Sequence, residues 1–390
     1  MSNGYGEAAI AGYLAGAIAA RAPDATIEHF PMVGAFDDGR VNSTATMPRV
    51  VGPRAQMPSG GLIAYWNLRN LARDVRAGLL SLTMRQFAFL ARQRARTVVV
   101  AVGDVYALAA SLYFARRPTV FVATAKSEHV ASHSPLERAI ARRARVVFAR
   151  DAETARALAA AGVPARYAGN LMMDGLAARG VDLGAIPDAV HAGVLPGSRA
   201  DAPANAAAAV RRLVLVSGLL APRPVQALIS AAPGVAAGAL LAACASAGAT
   251  LAPTGNESGV VARGKAGSLE VTLIAGEFGD LLADCDIVLG QAGTANEQAA
   301  GLGLPVIASS PMGDPASVGW YRMRQQRLLG DALLVLPDDD RRFADDFVAL
   351  LRDPDRMRAM GEVGRSRMGG PGGANAVAEA VLALASQTPG

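Results

Sequence analysis

Residues 287–307 carry the clearest structural pattern in this chain, and they read IVLGQAGTANEQAAGLGLPVI. An apolar run comes first, a glycine-bearing loop follows, and an Ala-rich segment leads to a second apolar run. Continuous apolar runs that alternate with helical segments are typical of parallel strands buried on both faces. We therefore predict a strand over 287–289, a helix over 294–301 and a second strand over 306–309.

The same alternation extends outward from this stretch over most of the chain. Immediately before it, strand and helix pairs are predicted at Ala192–Leu195 with Ala204–Leu220, Val225–Ser230 with Val235–Ala247, and Leu269–Ala275 with Asp280–Asp284. Still closer to the N-terminus, apolar runs separated by helical segments occupy Thr97–Val102, Thr119–Val122 and Arg145–Ala149. Two such arrays, joined near 181–190, predict an α/β protein with two doubly wound, Rossmann-like domains.

The restart of the pattern sets the expected domain bounds. We predict an N-terminal domain over residues 1–180 and a C-terminal domain over residues 191–365. The remaining residues, 366–390, are predicted to form a C-terminal helix that could pack back on the N-terminal domain.

The composition excludes several classes of protein. Of the 390 residues 52% are hydrophobic and 18% are charged, which is enough apolar material for more than one core. No run approaches the roughly 20 apolar residues that a spanning helix needs, because Arg or Pro interrupts each candidate. Cys244 and Cys285 are the only cysteines, which excludes a disulfide framework and favours a reducing cytoplasm. The net charge of +5 comes with only 5% aromatic residues, so no nucleic-acid partner is predicted.

A phosphate-binding corner is predicted at Leu195-Pro196-Gly197-Ser198-Arg199, where a strand ends and a helix begins. Such a corner collects free backbone N–H groups at the positive end of the helix dipole. Gly197 allows a close approach, and Ser198 and Arg199 add donors for phosphate oxygens. The alternative interpretation is an ordinary turn that caps a helix.

A second polar corner follows the strand at 287–289. Gly293 and Thr294 open a helix at the carboxyl end of that strand, where open α/β sheets bind ligands. Glu297 lies one turn further on, where its carboxylate could accept hydrogen bonds from the two hydroxyls of a ribose. Alternatively, Glu297 only interacts with the dipole of its own helix, which contributes a few tenths of a kcal/mol.

These corners carry a resemblance to a known family. The loop, Glu297 and the later Gly-Leu-Pro-Val resemble the nucleotide-sugar site of two-domain GT-B glycosyltransferases. The Leu-Pro-Gly-Ser-Arg corner is similar to that of lipid-A-disaccharide synthase, and residues 150–153 with 168–174 resemble the end of its acceptor domain. The chain is most similar to the group of lipid-A-disaccharide-synthase-related proteins, whose members begin with a loop like Asn3–Glu7.

The resemblance implies a GT-B fold whose two Rossmann-like domains face each other across a cleft. The acceptor would lie in the N-terminal domain, and the C-terminal domain would bind a donor such as UDP-N-acetylglucosamine. The implied donor-binding residues are Gly197, Ser198, Arg199, Phe278, Gln291, Gly293, Thr294 and Glu297. Such enzymes use the UDP-sugar as a co-substrate and need no metal or other cofactor. Accordingly, Asp338-Asp339-Asp340 is predicted to start a helix rather than to bind a metal.

Two carboxylates are candidates for the catalytic base. Asp104 follows the strand near 98–102, in the position of the strand-end Asp of the synthase family, and could take the proton of an acceptor hydroxyl. Its alternative role is to cap the helix that begins at Val105. The second candidate is Glu7, beside the loop Asn3-Gly4-Tyr5-Gly6, which carries Tyr5 where wider relatives carry His. Because no strand is visible before this loop, we expect that the preceding strand is missing from the sequence or lies upstream.

A membrane-facing segment is predicted within the helical region from about Leu62 to Arg94. Apolar residues there are fringed by cations, and an interfacial helix would place aromatic rings at headgroup level. The residues predicted to face the membrane are Tyr65, Trp66, Arg69, Arg73 and Arg76. The alternative is a core helix with an arginine-bearing solvent face.

The resemblance implies a glycosyltransferase that moves a hexosamine-type sugar from a UDP-sugar to a lipid-linked acceptor, and this is our prediction. We expect it in the cytoplasm, in peripheral contact with the anionic inner face of the cytoplasmic membrane. Two other classes stay open: a UDP-sugar 2-epimerase, which shares the fold and donor site, and a nucleotide-sugar-binding protein without catalysis.

Overall fold

A computed structural model describes residues 1–32, 48–55, 68–93, 98–255, 259–309, 321–336 and 338–387. The chain divides into two compact units, Met1–Asp174 with Pro371–Gly390 and Gly175–Gly370. Each unit contains a sheet of parallel strands, which confirms the predicted α/β class.

The first unit alternates strands and helices over most of its length. In chain order, its elements before the second unit are α1 (Tyr5–Arg21), β1 (Glu28–His29), β2 (Arg49–Val50), α2 (Leu68–Arg76), α3 (Leu79–Arg92), β3 (Val99–Gly103), α4 (Val105–Ala110), β4 (Thr119–Ala123), α5 (Pro135–Ala141), β5 (Val146–Ala149), α6 (Ala152–Ala160) and β6 (Ala165–Arg166). A π-helical turn covers Ser111–Ala115, and a 3₁₀ turn covers Leu171–Met173.

The main sheet of the first unit has the strand order β3-β4-β5-β6, and each pair is parallel. All five residues of β4 are buried, as expected for a central strand covered on both faces. Phe121, Phe148 and Leu158 are among the fully buried side chains of this unit. The carboxyl ends of β3, β4 and β5 therefore lie side by side at one edge of this sheet.

A strand-like bridge, which the sequence pattern does not predict, lies directly before the N-terminal loop. Ser2 forms parallel bridges with both Pro31 and Val102. Its N–H donates to the carbonyl of Phe30 at 3.1 Å, and the Val102 N–H donates to the carbonyl of Met1 at 2.9 Å. Met1 and Ser2 thus occupy the strand position beside β3, in a segment too short to show a periodic pattern.

The helical region predicted from Leu62 to Arg94 is not one helix. It is interrupted at Gly78, which has a φ of 97° and ends the turn between α2 and α3. A positive φ is readily adopted by glycine and rarely by other residues, so this glycine fixes the break. Residues 56–67 of the predicted region lie outside the described residues.

The second unit contains the longer alternation. Its elements are β7 (Val190–Leu195), α7 (Ala202–Leu220), β8 (Val225–Ala231), α8 (Ala237–Ser246), β9 (Thr250–Pro253), β10 (Val260–Ala266), β11 (Leu269–Ala275), α9 (Phe278–Asp284), β12 (Ile287–Gly290), α10 (Thr294–Leu302), β13 (Val306–Ser309), α11 (Gln326–Leu329), β14 (Leu333–Leu336), α12 (Asp340–Leu351) and α13 (Pro354–Met368). A π-helical turn, Tyr321–Gln325, precedes α11.

The strands of the second unit are ordered β14-β13-β12-β7-β8-β11-β10-β9. The strands from β14 to β11 run parallel, whereas β10 pairs antiparallel with both β11 and β9. The sequence pattern does not predict β9 and β10. Most of their residues are exposed or half-buried, so they lack the continuous apolar run that reveals the central strands.

The segment predicted to join the two arrays is fixed to the second unit. Asp280 is 4% exposed, and its Oδ1 accepts hydrogen bonds from the backbone N–H groups of Arg179 (2.7 Å), Gly180 (2.7 Å) and Val181 (3.0 Å). A little further on, the Ile186 N–H donates to Oε1 of Gln226 at 2.9 Å. These bonds hold the chain as it enters β7.

The last helix, α14 (Gly373–Ser386), belongs to the first unit and packs against α1. Its first turn is held by Asp174, whose carboxylate accepts from the N–H groups of Gly372 and Ala374. Arg21 of α1 donates to Oδ1 of Asn375 at 2.9 Å. The first unit is thus assembled from two segments that are distant in the sequence.

Candidate functional site

The strand order of the second unit reverses at β7. The chain steps from β7 to β8 on one side, and the later strands β12, β13 and β14 lie on the other side. In open α/β sheets, ligands bind outside the carboxyl ends of the strands at such a reversal. Here the loops at that point are Pro196–Arg199 after β7 and Gln291–Gly293 after β12.

These two loops are in direct contact. The Gln291 N–H donates to the carbonyl of Leu195 at 2.9 Å. Gly197 has a φ of 101°, and a Cβ there would lie 3.4 Å from the Gln291 carbonyl oxygen. A residue with a Cβ at this position would be strained by the positive φ and would touch the neighbouring loop. The structure therefore brings together the two corners that the sequence singled out separately.

The residues predicted to donate hydrogen bonds to a phosphate are exposed to solvent on these loops. Ser198 and Arg199 are exposed, and α7 begins at Ala202, whose N–H donates to the Arg199 carbonyl at 3.0 Å. On the other loop, Gly293 is the N-cap of α10, and Thr294 is exposed at the first position of that helix. Glu297 lies in the first turn of α10 and is half-buried.

Phe278 opens α9, shortly after β11, and is half-buried. Because β11 runs parallel to β7 and β8, its carboxyl end lies at the same edge of the sheet as the two loops. One strand, β8, separates β11 from β7. Phe278 thus shares the edge with the loops without belonging to either.

Beneath the loops, the predicted donor-binding residue Gln291 belongs to a polar group whose other members the sequence analysis did not single out. Gln291 donates through Nε2 to the carbonyl and hydroxyl oxygens of Ser309, at 2.7 and 3.0 Å. Asn205 donates through Nδ2 to the Pro196 carbonyl at 2.9 Å. Together with Arg212 and Phe343, these side chains line a small pocket under the loops. The available signal was the spacing of Asn205 and Arg212, which places two polar residues on one face of α7.

Arg212 is a buried arginine that binds two partly exposed carboxylates. Its side chain is 3% exposed, its Nε donates to Oδ1 of Asp340 at 2.7 Å, and its terminal nitrogens bond Asp338 and the Ser309 hydroxyl. The guanidinium also lies over the Phe343 ring, 5.0 Å from its centroid. Asp339 caps α12, as predicted for the Asp338–Asp340 run. Asp338 and Asp340, on either side of it, bind Arg212.

In the first unit, polar residues follow three neighbouring strands. Asp104, Thr124 and Arg150 come directly after β3, β4 and β5. Asp104 is the N-cap of α4, and its Oδ1 accepts from the N–H groups of Tyr106 (2.9 Å) and Ala107 (3.1 Å). The capping role that the sequence left open is therefore present, and both of these capping bonds go to the same carboxylate oxygen.

Glu7 lies close to this edge from the first turn of α1. Thr124 donates through Oγ1 to Oε1 of Glu7 at 3.4 Å, and Arg150 donates to the Thr124 carbonyl at 3.0 Å. Burial raises the pKa of the Glu7 carboxyl, and the nearby charge of Asp104 raises it further. Burial also raises the pKa of Asp104, although the hydrogen bonds that its carboxylate accepts lower it. The structure thus brings both base candidates into one cluster.

The N-terminal loop is shorter than predicted, because Gly4 is the N-cap of α1 and Tyr5 and Gly6 are already helical. The side chain of Asn3 packs against Gly103, where a Cβ would overlap the Asn3 Oδ1. The same Asn3 side chain hydrogen-bonds Asp104. The Glu7 carboxylate folds back over Gly4, where a Cβ would overlap Oε2. Both glycines therefore leave the space that the polar side chains occupy.

Part of the predicted membrane-facing set can be located. Tyr65 and Trp66 lie outside the described residues, and Arg69 lies in α2 with its side chain outside them. Arg73 and Arg76 are exposed on α2. Exposed apolar side chains adjoin them in the sequence: Val75, Leu80 and Met84. None of the helices in the described part of the chain is long and apolar enough to cross a bilayer.

The raised pKa of Glu7 predicts a pH-dependent contribution to stability. Above the ordinary value of 4.5, the unfolded state loses the Glu7 proton before the folded state does. The free energy of unfolding of the wild type, relative to Glu7→Gln, should therefore fall as pH rises through the folded-state pKa and then level off.

Denaturant unfolding of both proteins between about pH 4 and about pH 8 measures this difference. Glu362→Gln, a substitution at an exposed position of α13, serves as the matched control and should show no such trend. A difference between wild type and Glu7→Gln that stays constant across the range would contradict the burial of the Glu7 charge.

Comparison with known proteins yields similarity at the level of fold. No protein-family model matches the chain, and no curated protein sequence matches it. A Listeria monocytogenes structure, assigned as a UDP-N-acetylglucosamine 2-epimerase, is 15% identical with a TM-score of 0.53, covering 98% of this chain and 94% of that one. MurG from Acinetobacter baumannii is 13% identical with a TM-score of 0.53, covering 98% of each chain. The fold is of the GT-B type.

Proposed function

We propose that this chain is an enzyme that acts on a UDP-sugar bound by its second unit. The observation that carries the proposal is the contact between the loops after β7 and β12, at the reversal of the strand order. Two glycine-bearing loops meet there, and one of them opens a helix. This is the arrangement that α/β proteins use to bind the phosphates of a nucleotide.

Each part of a UDP-sugar has a matching group among the predicted residues. The backbone around Gly197, with Ser198 and Arg199, supplies donors and positive charge for the diphosphate. Thr294 and the N-terminus of α10 add further donors from the second loop. Glu297 would accept hydrogen bonds from the ribose hydroxyls, and Phe278 would lie toward the base. No metal is required in this scheme, because the helix dipole and Arg199 stabilise the departing diphosphate.

The first candidate reaction is sugar transfer, as the resemblance to lipid-A-disaccharide synthase suggests. An acceptor oxygen would form a bond to the anomeric carbon while the bond from that carbon to the UDP oxygen breaks. Asp104 would take the proton of the acceptor hydroxyl, and UDP would leave with the electron pair. Burial raises the pKa of Asp104 above its ordinary value, which makes its carboxylate a stronger base.

A lipid-linked acceptor would agree with the surface of the first unit. Arg73 and Arg76 are exposed on α2, and α3 carries Leu80 and Met84, whose exposed fractions are 62% and 63%. Arginines close to exposed apolar side chains suit peripheral contact with the anionic, cytoplasmic face of a membrane. The substrate could then remain partly in the bilayer during the reaction.

The second candidate reaction is 2-epimerisation of a UDP-sugar, which the fold comparison supports at least as well. The Listeria structure matches along nearly the whole chain. Inversion at one carbon requires removal and return of a proton, and Glu7 and Asp104 form a pair of neighbouring carboxyl groups in different surroundings. Incubation with UDP-N-acetylglucosamine alone separates the two reactions: an epimerase changes the sugar without lipid, and a transferase releases UDP only when lipid acceptor is added.

Binding of UDP is the most direct test of the proposal. UDP should raise the melting temperature more than GDP or ADP does, because a ligand stabilises the folded state that binds it. Glu297→Ala should weaken UDP binding about tenfold in calorimetry, since a charge-assisted hydrogen bond to the ribose is lost.

Glu362→Ala, at an exposed position of α13, is the matched control and should bind UDP like the wild type. Unchanged UDP affinity in Glu297→Ala would remove the ribose contact from the proposal. Binding of UDP without turnover, with or without lipid, would instead favour a nucleotide-sugar-binding protein.

A further inference from the structure

An interlocked pair of amide side chains lies behind the loop after β12. Asn296 of α10 is 0% exposed, and Gln325, at the end of the π-helical turn before α11, is 3% exposed. The Nδ2 of Asn296 donates to Oε1 of Gln325 at 2.9 Å. The pair does not follow from the motifs in the sequence, because its members are 29 positions apart and β13 lies between them.

Each amide also holds one carbonyl of the loop. Asn296 donates through Nδ2 to the Gly290 carbonyl at 3.2 Å, and Gln325 donates through Nε2 to the Gly293 carbonyl at 3.0 Å. The two ends of the loop are therefore tied to the same pair. Gly290 is required for this contact, because a Cβ there would overlap Oδ1 of Asn296.

The direction of these hydrogen bonds fixes both amides. The Gly293 carbonyl can only accept, so Gln325 must present its NH₂ group there and its oxygen toward Asn296. Asn296 then meets two acceptors, the Gln325 oxygen and the Gly290 carbonyl, which require its NH₂ group on that side. A single arrangement satisfies all three bonds, so the pair is a rigid support rather than an adaptable one.

The consequence for a ligand follows from the geometry of the peptide bond. In a planar trans peptide the C=O and N–H groups point in opposite directions. The Gly293 carbonyl is held inward by Gln325, and it also accepts from the N–H groups of Asn296 and Glu297 at 3.2 and 3.3 Å. The N–H of Thr294, which shares that peptide, is thereby directed away from the amide pair and out of the start of α10.

We propose that Asn296 and Gln325 are positioning residues for the diphosphate of the UDP-sugar, acting by aiming the Thr294 N–H at its terminal phosphate. This inference rests on the proposed function, since it specifies how the same site recognises its ligand. The amides do not touch the ligand. They hold the loop in the one conformation in which that donor faces it.

The test compares UDP with UMP, which lacks the terminal phosphate. Calorimetry on the full chain gives the ratio of the two affinities for the wild type, Gln325→Met and Asn296→Ala. Met matches the length of Gln but cannot form the hydrogen bonds, so the ratio should fall about tenfold while UMP affinity is retained. Gln326→Met, the adjacent residue with the same change, is the matched control and should keep the wild-type ratio.

The outcomes separate the inference from the proposed function. Suppose that the wild type prefers UDP over UMP. If a folded variant then keeps that preference, or loses affinity for UMP and UDP equally, the positioning role is overturned and the proposed function stands. If the wild type binds neither UDP nor UMP, the proposed function and the positioning role are both overturned. Asn296→Ala serves as the independent variant should Gln325→Met fail to fold, because it breaks the same pair from the other side.

Discussion

Replacing Arg212 by alanine is expected to lower the free energy of unfolding by about 3 kcal/mol, because a buried guanidinium and its charge-assisted hydrogen bonds are lost together. The guanidinium is 3% exposed and bonds Asp338, Asp340 and the Ser309 hydroxyl at once. Its removal takes away the counter-charge that the two carboxylates share and removes the packing over Phe343. Chemical denaturation measured at one pH gives the change directly.

Arg211 provides a matched control for this change. It precedes Arg212 on α7, its side chain is 35% exposed, and it reaches the same Asp340 only at 3.9 Å. Because an exposed ion pair contributes little, Arg211→Ala should cost less than about 1 kcal/mol. Equal losses in the two variants would show that the ion pairs of Arg212 do not stabilise the second unit in the way their geometry indicates.

Replacing Asp104 by asparagine should reduce turnover by about 100-fold or more, the usual contribution of a general base. The amide oxygen of Asn can still accept from the Tyr106 and Ala107 N–H groups, so the cap on α4 is kept. The free energy of unfolding and the affinity for UDP should therefore change little. This substitution separates the chemical role of Asp104 from its structural one, which an Ala substitution would not.

Asp353→Asn is the corresponding control, because Asp353 caps α13 through the same kind of bond, to the Arg356 N–H at 3.0 Å. Turnover by that variant should match the wild type. If Asp104→Asn turned over normally while UDP binding was intact, Asp104 would be removed as the base and Glu7 would become the first candidate. Turnover is measured with whichever substrate the two reaction assays identify.

The parallel strands could be predicted because burial on both faces leaves a simple signature. In β4, for example, the residues Val120–Ala123 are all apolar and all buried. The antiparallel strands β9 and β10 lack that signature, since exposed and half-buried positions interrupt their apolar residues. The bridges that Ser2 forms with Pro31 and Val102 depend on its neighbours in space, so no local pattern could reveal them.

In the candidate site, too, local features could be predicted and contacts between distant residues could not. The loops at Gly197 and Gly293 could be predicted because glycine and polar residues cluster locally after a strand. Their supports come from far along the chain: Arg212 meets Asp338 across 126 positions, and Gln325 meets Asn296 across 29. Such pairs depend on tertiary packing, which one sequence without its structure does not disclose.

The return of α14 to α1 has a consequence for the order in which the protein folds during synthesis. Val377 and Ala378 of α14 are fully buried in the first unit, yet they are made only after the whole second unit has been synthesised. Until α14 is complete, the part of the first unit that precedes Gly175 therefore has an apolar face uncovered. An apolar face that is uncovered during synthesis favours association with other chains.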